Sequence, residues 1–257
     1  MLNKILLWEE RKYLWELSRK FLRDKYVGSV LGLSWAFITP LLLAGAITVV
    51  FTRVARVSLP HYPLLVLSGI LPWMYFSASL SEGAYSILNY SSLLKRFTFS
   101  PLIIPLSLSG ANFLNLLLSM GVMLPIFIFF NKSILFLLPL LFFFLLLFFF
   151  LSSGIMLTLA WSNVFLRDIG HLTSVGLLFW FWITPVFYTL SLVPERFLFY
   201  LYLNPLTPFM RIFHAILYRG ILPRPFDAYL AFLYTLVFWF IGYISFLRKI
   251  PEAKKRI

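Results

Sequence analysis

ILFLLPLLFFFLLLFFFLSSGIMLTLAW, residues 134–161, runs for 28 positions without a charged side chain. A helix needs about 20 mostly apolar residues to cross the hydrocarbon core of a bilayer, so this stretch alone predicts a membrane-spanning helix. Five further uncharged apolar stretches have the length to do the same, and they cover residues 31–51, 64–81, 104–130, 173–190 and 228–247. The sequence therefore predicts an all-α polytopic membrane protein with six transmembrane helices.

The composition makes the bilayer the expected solvent for most of this chain. Hydrophobic residues make up 61% of it and charged residues 12%, too few to cover the surface of a water-soluble protein. We expect one transmembrane domain over residues 1–257, made of an interface helix (1–26), spans one to five (31–190), an outer hairpin (191–227), span six (228–247) and a tail (248–257). The chain contains no Cys, which excludes thiol chemistry and Cys-based metal sites.

The basic residues indicate which way the spans run. Six spans place both termini on the same side, and that side collects 15 of the 22 Lys and Arg residues, against seven on the other. Because loops rich in Lys and Arg stay in the cytoplasm, both termini are predicted to be cytoplasmic. The net charge of +13 lies close to the span ends, where it fits anionic membrane lipids rather than nucleic acid.

Residues 2–26 are predicted to form an N-terminal amphipathic helix along the cytoplasmic interface. Apolar residues such as Trp15 fall on one half of the helical wheel, and polar residues such as Arg19 fall on the other. Two interpretations are open, a lipid anchor and a docking surface for a cytoplasmic partner. The loop at 90–100 carries two adjacent basic residues and is either a positively charged turn or a short helix that touches a partner.

Residues 197–218 are nearly as apolar as a span but are interrupted in the middle. Asn204, Pro205 and Pro208 stop a continuous helix there, because each proline lacks a backbone donor. A full crossing would also move the five basic residues of the C-terminal tail to the outside. We therefore predict a re-entrant outer hairpin between spans five and six, with a hydrophobic hairpin that lies on the membrane as the alternative.

Motifs for catalysis are scarce in this chain. No G-x-x-x-x-G-K-[S/T] phosphate loop occurs, so if ATP drives the protein, a separate subunit must bind it. His61, His171 and His214 lack the spacing of metal ligands. No pair of carboxylates stands within a span, which argues against ion-coupled transport and against acid–base catalysis. We therefore expect no catalytic residue, metal site or cofactor in this chain.

Aromatic residues are the remaining signal, at 20% of the chain. Most are expected at the membrane interface or against lipid. The fifth span differs, because residues 179–182 (FWFW) stand just ahead of Phe187 and Tyr188. Aromatic faces stack on sugar rings without fixed charge, which suits a polymer that slides. Ordinary interfacial packing is the alternative, and these residues alone favour it.

Six motifs, in this order along the chain, carry a resemblance to a known family. They are KYVGSVLGLSW (25–35), GILPWMYFSASL (69–80), NYSSLLKRFTFSPLIIPL (89–106), NVFLRDIGH (163–171), WITPVFYTLSLVP (182–194) and NPLTPFMRIFHAILYRG (204–220). Together they resemble the membrane subunit of polysaccharide-exporting ABC transporters, the class that exports O-antigen, capsule and teichoic acid. The segment FTFSP at 97–101 departs from the pattern, which places a Phe-Pro directly after the basic pair.

The resemblance implies a homodimer in the bacterial cytoplasmic (inner) membrane, joined by two copies of a separate ABC ATPase that bind ATP and Mg. The substrate it implies is a lipid-linked polysaccharide. It also implies contact with the ATPase through seven residues: Trp15, Arg19, Arg23, Leu94, Lys95, Arg96 and Phe97. The same resemblance gives the candidate wall of the translocation path as Trp35, Phe181, Trp182 and Tyr188, and the outer gate as Asn204, Pro205, Pro208 and Arg211.

Two other functions fit the same pattern of spans. A sister ABC permease that exports a small amphiphile or drug would share the six spans and the outer hairpin. A membrane enzyme that acts on a lipid-linked sugar is the more distant alternative, because the chain shows no catalytic motif.

Overall fold

The computed structural model describes residues 3–96 and 100–256, and every regular element in those ranges is helical. The helices, in chain order, are α1 (Asn3–Asp24), α2 (Trp35–Val49), α3 (Tyr62–Ala84), α4 (Ser86–Asn89), α5 (Ser91–Arg96), α6 (Ile103–Phe130), α7 (Ile134–Phe165), α8 (Asp168–Ile183), α9 (Glu195–Leu203), α10 (Leu206–Phe213) and α11 (Pro225–Lys254). A 3-10 turn precedes α2, and π-helical turns extend α2 to Val54 and α10 to Arg219.

Five helical segments are long and apolar enough to cross a membrane. They are Gly32–Val54, Tyr62–Ala84, Ile103–Phe130, Ile134–Phe165 and Pro225–Ala253. These segments match five of the predicted spans and confirm an all-helical, multi-pass membrane protein. The count of six stays a prediction, because the fifth predicted span (173–190) corresponds to α8, a helix of 16 residues.

Proline explains why α8 is shorter than the apolar stretch that contains it. The helix ends at Ile183, and Thr184 takes an extended conformation with φ −94° and ψ 135°. A residue that precedes proline is pushed out of the helical region, and here Pro185 follows directly. The chain then continues as irregular backbone to a short 3-10 turn at Leu190–Leu192.

Helix α3 is the centre of the bundle and contacts α2, α6, α7, α8 and the end of the hairpin. It is the most buried of the candidate spans. Glycines allow the close approach, since a Cβ added to Gly69 would lie 2.0 Å from the backbone oxygen of Val186. Helices α7 and α11 meet in the same way, because a Cβ on Gly242 would lie 1.9 Å from the Gly154 oxygen.

Contacts between distant segments define two ends of the bundle. At one end, which we call the terminal end, Lys25 pairs with Glu82, Tyr85 packs on His171, and the Arg256 guanidinium lies 4.5 Å from the Phe165 ring. At the opposite end, the loop end, Tyr62 donates a hydrogen bond to the Phe187 carbonyl (2.7 Å) and Tyr218 to the Pro60 carbonyl (2.6 Å). The residues that follow α1 and α11 therefore both lie at the terminal end.

Helix α1 packs lengthwise on the first half of α6. The Ser107 hydroxyl lies 3.5 Å from the Leu14 carbonyl, and Gly110 leaves room for the side chain of Ser18. Phe21 is buried, and its ring centroid lies 5.0 Å from that of Tyr90. The predicted N-terminal helix is thus attached to the bundle through one face.

Candidate functional site

Helix α8 presents a broad exposed face of apolar and aromatic side chains. It contacts chiefly α3 and α7, and Gly170 and Leu177 are its buried residues. Phe179 and Trp182 are exposed, the latter with 60% of its surface accessible. Helix α2 is similarly exposed. The first and fifth predicted spans therefore both carry exposed apolar faces.

Three of the four predicted path residues belong to one aromatic cluster. The ring centroid of Phe187 lies 5.3 Å from that of Phe181, 5.4 Å from that of Trp182 and 5.3 Å from that of Tyr188. Phe187 itself was not among the predicted site residues. Trp35 is exposed at the opposite end of α2, about 24 Å along the helix from Phe51, whose ring lies 4.9 Å from Phe187. The structure does not bring Trp35 to this cluster.

Asn204 fastens the hairpin to the end of α8. Its side-chain oxygen accepts hydrogen bonds from the Trp180 indole (2.9 Å) and the Leu206 backbone N–H (3.0 Å). Its side-chain nitrogen donates to the Thr184 hydroxyl (2.9 Å). The side chain is buried, so these bonds satisfy backbone and polar groups at the break between α9 and α10. A predicted gate residue is therefore joined directly to the aromatic span.

The two predicted gate prolines lie at the start of α10. Pro205 is its N-cap residue, and Pro208 stands in its first turn, where the missing N–H removes no intrahelical hydrogen bond. Residues 206–210 are all buried. The prolines therefore fix where the second half of the hairpin begins, inside the protein rather than at its surface.

Arg211, the last predicted gate residue, pairs with Asp227 at the beginning of α11. Arg211 Nη1 lies 3.2 Å from Asp227 Oδ1, and the two side chains are 15% and 3% exposed. The guanidinium also lies 5.3 Å from the Tyr202 ring centroid. Burial lowers the pKa of Arg211 from its usual value, while Asp227 acts in the opposite direction. The pair lines a cavity of about 350 Å³ at the loop end, together with Tyr188, His214, Arg219 and Arg224.

His214 lines the same cavity without a charge near neutral pH. The side chain is buried, and its Nε2 lies 3.3 Å from the Val186 carbonyl oxygen. Burial lowers the pKa of His214 to about 4, and the hydrogen bond to Val186 opposes that shift only in part. His214 is therefore a neutral hydrogen-bonding group that holds the hairpin against the segment after α8.

The predicted coupling residues lie at the terminal end. Trp15, Arg19 and Arg23 are exposed on α1, and the Arg19 guanidinium lies 5.7 Å from the Trp15 ring centroid. Leu94 is buried and Lys95 is exposed on α5, which also contains the backbone of Arg96. Phe97 lies outside the described residues. The contact of Phe21 with Tyr90 joins α1 to the residue that precedes α5, so the two predicted docking elements meet at this point.

A polar network at the terminal end was not predicted. The Lys25 ammonium donates to Glu82 Oε1 (2.7 Å) and to Asn112 Oδ1, while Asn112 Nδ2 donates to Glu82 Oε2 (3.0 Å). Beside it, the Tyr26 hydroxyl donates to Asn115 Oδ1 (2.5 Å). Asn112 and Asn115 stand three residues apart inside an apolar stretch, so they share a helix face, and this was the available signal.

The groups assembled at these sites can bind and position ligands. Aromatic rings with exposed faces suit stacking on sugars, and the arginine-lined cavity suits an anion. Among the side chains that the structure describes (residues 11–95, 100–253, 255 and 256), no three His, Asp or Glu come together in an arrangement suited to a metal ion.

Comparison with known proteins adds an independent line of evidence. A family model described as ABC-2 type transporter matches residues 12–218. The chain is 32% identical over 219 residues to the O-antigen export system permease protein RfbA of Myxococcus xanthus, a match that covers 84% of each chain. Two proteins of the same name from Klebsiella pneumoniae are 28% identical over 215 and 219 residues, and each match covers 82% of this chain and 83% of the relative.

Proposed function

This chain belongs to the ABC-2 type transporter family, as its motifs predicted, and on that premise we propose that it is the permease subunit of an ATP-driven exporter of a lipid-linked polysaccharide of the O-antigen type. The observation that carries the proposal is the similarity to O-antigen export permeases over 84% of both chains. The region that the family model matches, residues 12–218, includes the aromatic cluster, Asn204 and Arg211.

The proposal includes a separate ABC ATPase, in two copies that bind ATP and Mg, beneath a homodimer of this chain in the bacterial inner membrane. Support comes from the contact at the terminal end between Phe21 of α1 and Tyr90, the residue before α5. Trp15 and Arg19 on α1 and Lys95 on α5 are exposed and so available to a partner. Support for cytoplasmic termini comes from the bias of Lys and Arg towards that end. Phe97 is included in the docking surface on the basis of sequence resemblance alone.

We also propose that α8 and the segment after it form the fifth span, and that α9 and α10 form a re-entrant hairpin. Helix α9 has 9 residues, and α10 with its π-helical turn covers 206–219, so their lengths are about 14 and 21 Å. Neither length crosses a core of about 30 Å. Broken backbone at membrane depth needs protein partners, and Asn204 supplies hydrogen bonds at the break.

For the translocation path, we propose a wall formed by the exposed face of α8, the Phe187 cluster and the exposed face of α2 with Trp35. Trp182 is exposed yet remains in contact with Phe187, so its ring offers a fixed face to a sugar. These two exposed faces would meet those of a second copy, and the path would lie between the copies. The Asn204, Pro205, Pro208 and Arg211 region would close its outer mouth.

The first experiment is co-purification of the full-length chain from gently solubilised native membranes, with identification and counting of its partners. We expect an ATPase with a phosphate-loop motif at one copy per permease. Its absence, in a detergent that preserves a known ABC complex, would contradict the proposal and favour a membrane enzyme. Stimulation of ATP hydrolysis by small amphiphiles but not by a lipid-linked glycan would instead favour a drug exporter.

The path is tested with Trp182→Ala in the assembled complex. Because most of the Trp182 surface is exposed, we expect normal assembly with reduced glycan export and reduced glycan-stimulated ATP hydrolysis. The matched control is Phe136→Ala, an exposed aromatic residue on α7 outside the Phe187 cluster. Unchanged export by Trp182→Ala would remove Trp182 from the path while leaving the rest of the proposal intact.

A further inference from the structure

The cavity at the loop end carries an excess of positive charge. Arg211, Arg219, Arg224 and Asp227 line it, and Asp227 is the one acidic side chain in the described lining, so three positive charges and one negative charge leave +2. His214 adds no charge near neutral pH. Arg219 and Arg224 are exposed and Arg211 is mostly buried, so the charge extends from the solvent into the cavity.

Arg211 has far more hydrogen-bonding capacity than it uses. A guanidinium carries five N–H donors. Among the described residues its polar contact is the one with Asp227, at 3.2 Å, and Asp227 Oδ1 has no partner with hydrogen-bond geometry. Buried polar groups in folded proteins are normally satisfied. Arg211 and Asp227 are paired but poorly hydrogen-bonded, so a ligand that bonds Arg211 better can displace Asp227 from it.

The beginning of α11 adds to the positive potential of this cavity. Arg224 is the N-cap residue of this 30-residue helix, and Asp227 stands in its first turn. The first N–H groups of a helix lack intrahelical partners and carry a partial positive charge that attracts anions. Asp227 is thus the acidic side chain that already stands at this helix terminus, beside Arg211.

We infer that this cavity binds a phosphoryl group, with Arg219 and Arg224 at its mouth and Arg211 inside, and that the ligand displaces Asp227 from Arg211. The forked geometry of arginine matches phosphate oxygens, and the excess charge of +2 matches a phosphate dianion. A volume of about 350 Å³ is enough for a phosphoryl headgroup. The source of that group, as a lipid headgroup at the outer surface of the membrane, rests on the proposed function.

Replacement of Asp227 distinguishes two explanations of the ion pair, competition with a ligand and a purely structural role. If Asp227 competes with the ligand, Asp227→Asn frees Arg211 and tightens phosphoryl binding severalfold. If the pair only holds the hairpin on α11, the same change leaves binding unchanged or weakens it. The two explanations therefore predict different directions for one measurement.

The test uses the full-length chain with any ATPase that co-purifies, in an uncharged detergent. Isothermal titration measures binding of inorganic diphosphate and of dihexanoyl phosphatidic acid below its micelle concentration. The Arg219→Gln, Arg224→Gln double variant is expected to bind about 10- to 100-fold more weakly, since hydrogen bonds to charged groups contribute strongly. The control is Arg196→Gln, which removes an exposed arginine that packs on Phe197 outside the cavity.

The possible outcomes divide clearly. Binding of both probes, or of phosphatidic acid alone, supports the site, and the second result assigns it to a lipid headgroup. No binding, or equal loss in Arg196→Gln, overturns the inference. A folded Asp227→Asn protein with unchanged or weaker binding overturns the displacement of Asp227, and if that variant does not fold, the double variant still decides the site.

Glycan export without phosphoryl binding would refute this site alone, whereas binding without an ATPase partner would refute the proposed function alone.

Discussion

Asn204→Ala is expected to destabilise the protein more than any other change to a single polar side chain in the hairpin. The substitution removes the acceptor for the Trp180 indole and the Leu206 N–H, and the donor to Thr184. Each bond contributes about 1 kcal/mol net, so the loss is about 3 kcal/mol. For a protein of this size, this lowers the midpoint of thermal unfolding by roughly 6–12 °C.

The measurement is the fraction of purified protein that stays monodisperse after heating, followed by size-exclusion chromatography. The control is Asn131→Ala, which removes two hydrogen bonds, to the Arg219 carbonyl and from the Ser133 N–H, but at a partly exposed position. Water replaces those partners, so we expect a loss below about 1 kcal/mol. Equal midpoints for the two variants would refute the reasoning that Asn204 holds the hairpin to α8.

Three further predictions follow from other contacts. Gly69→Ala places a Cβ about 2.0 Å from the Val186 oxygen and is expected to abolish stable assembly. Gly45→Ala, with open space around it, is expected to have little effect. Equal yields of assembled protein from the two variants would contradict the packing of α3. Lys25→Met is expected to cost about 1 kcal/mol of stability, because its ion pair with Glu82 is partly exposed. Adding Glu82→Gln to that variant is expected to cost little more, since the pair is already broken. Stability losses of the two single variants that add up in the double variant would show that the two side chains do not interact. Burial lowers the pKa of His214 to about 4, so the contribution of neutral His214 to stability is complete above about pH 6.5 and falls as the pH drops towards 4. His214→Gln is expected to flatten that part of a stability profile measured from pH 8 to 4.

The spans could be predicted well because their length is set by the bilayer and not by the rest of the protein. The stretch at 134–161 became α7, which begins at Ile134 as expected and continues to Phe165. Hydrophobicity alone does not report backbone geometry, so it predicts a fifth span that continues to residue 190. Pro185, already visible in the sequence, ends the helix at Ile183.

The site could be predicted only as a list of residues near particular motifs. Phe181, Trp182 and Tyr188 share one cluster because they are close in sequence, but its central ring, Phe187, is not among the predicted path residues. Partners that are distant in sequence could not be foreseen, since no local pattern states that Asn204 meets Trp180 or that Arg211 meets Asp227. Such pairs depend on how the helices pack, and the packing depends on close approaches such as that at Gly69.

Two of the polar contacts that hold the hairpin differ in quality. Asn204 joins it to α8 through well-aligned hydrogen bonds in a buried position, whereas Arg211 joins it to α11 through an ion pair in which Asp227 Oδ1 lacks hydrogen-bond geometry. The second is the weaker, because a buried ion pair without good hydrogen bonds recovers little of its desolvation cost. We therefore expect an opening motion of the hairpin to separate Arg211 from Asp227 first, while the hairpin stays attached to the aromatic end of α8. An anion in the cavity that replaces Asp227 would favour the separated state, so occupancy of the cavity and the position of the hairpin would be linked.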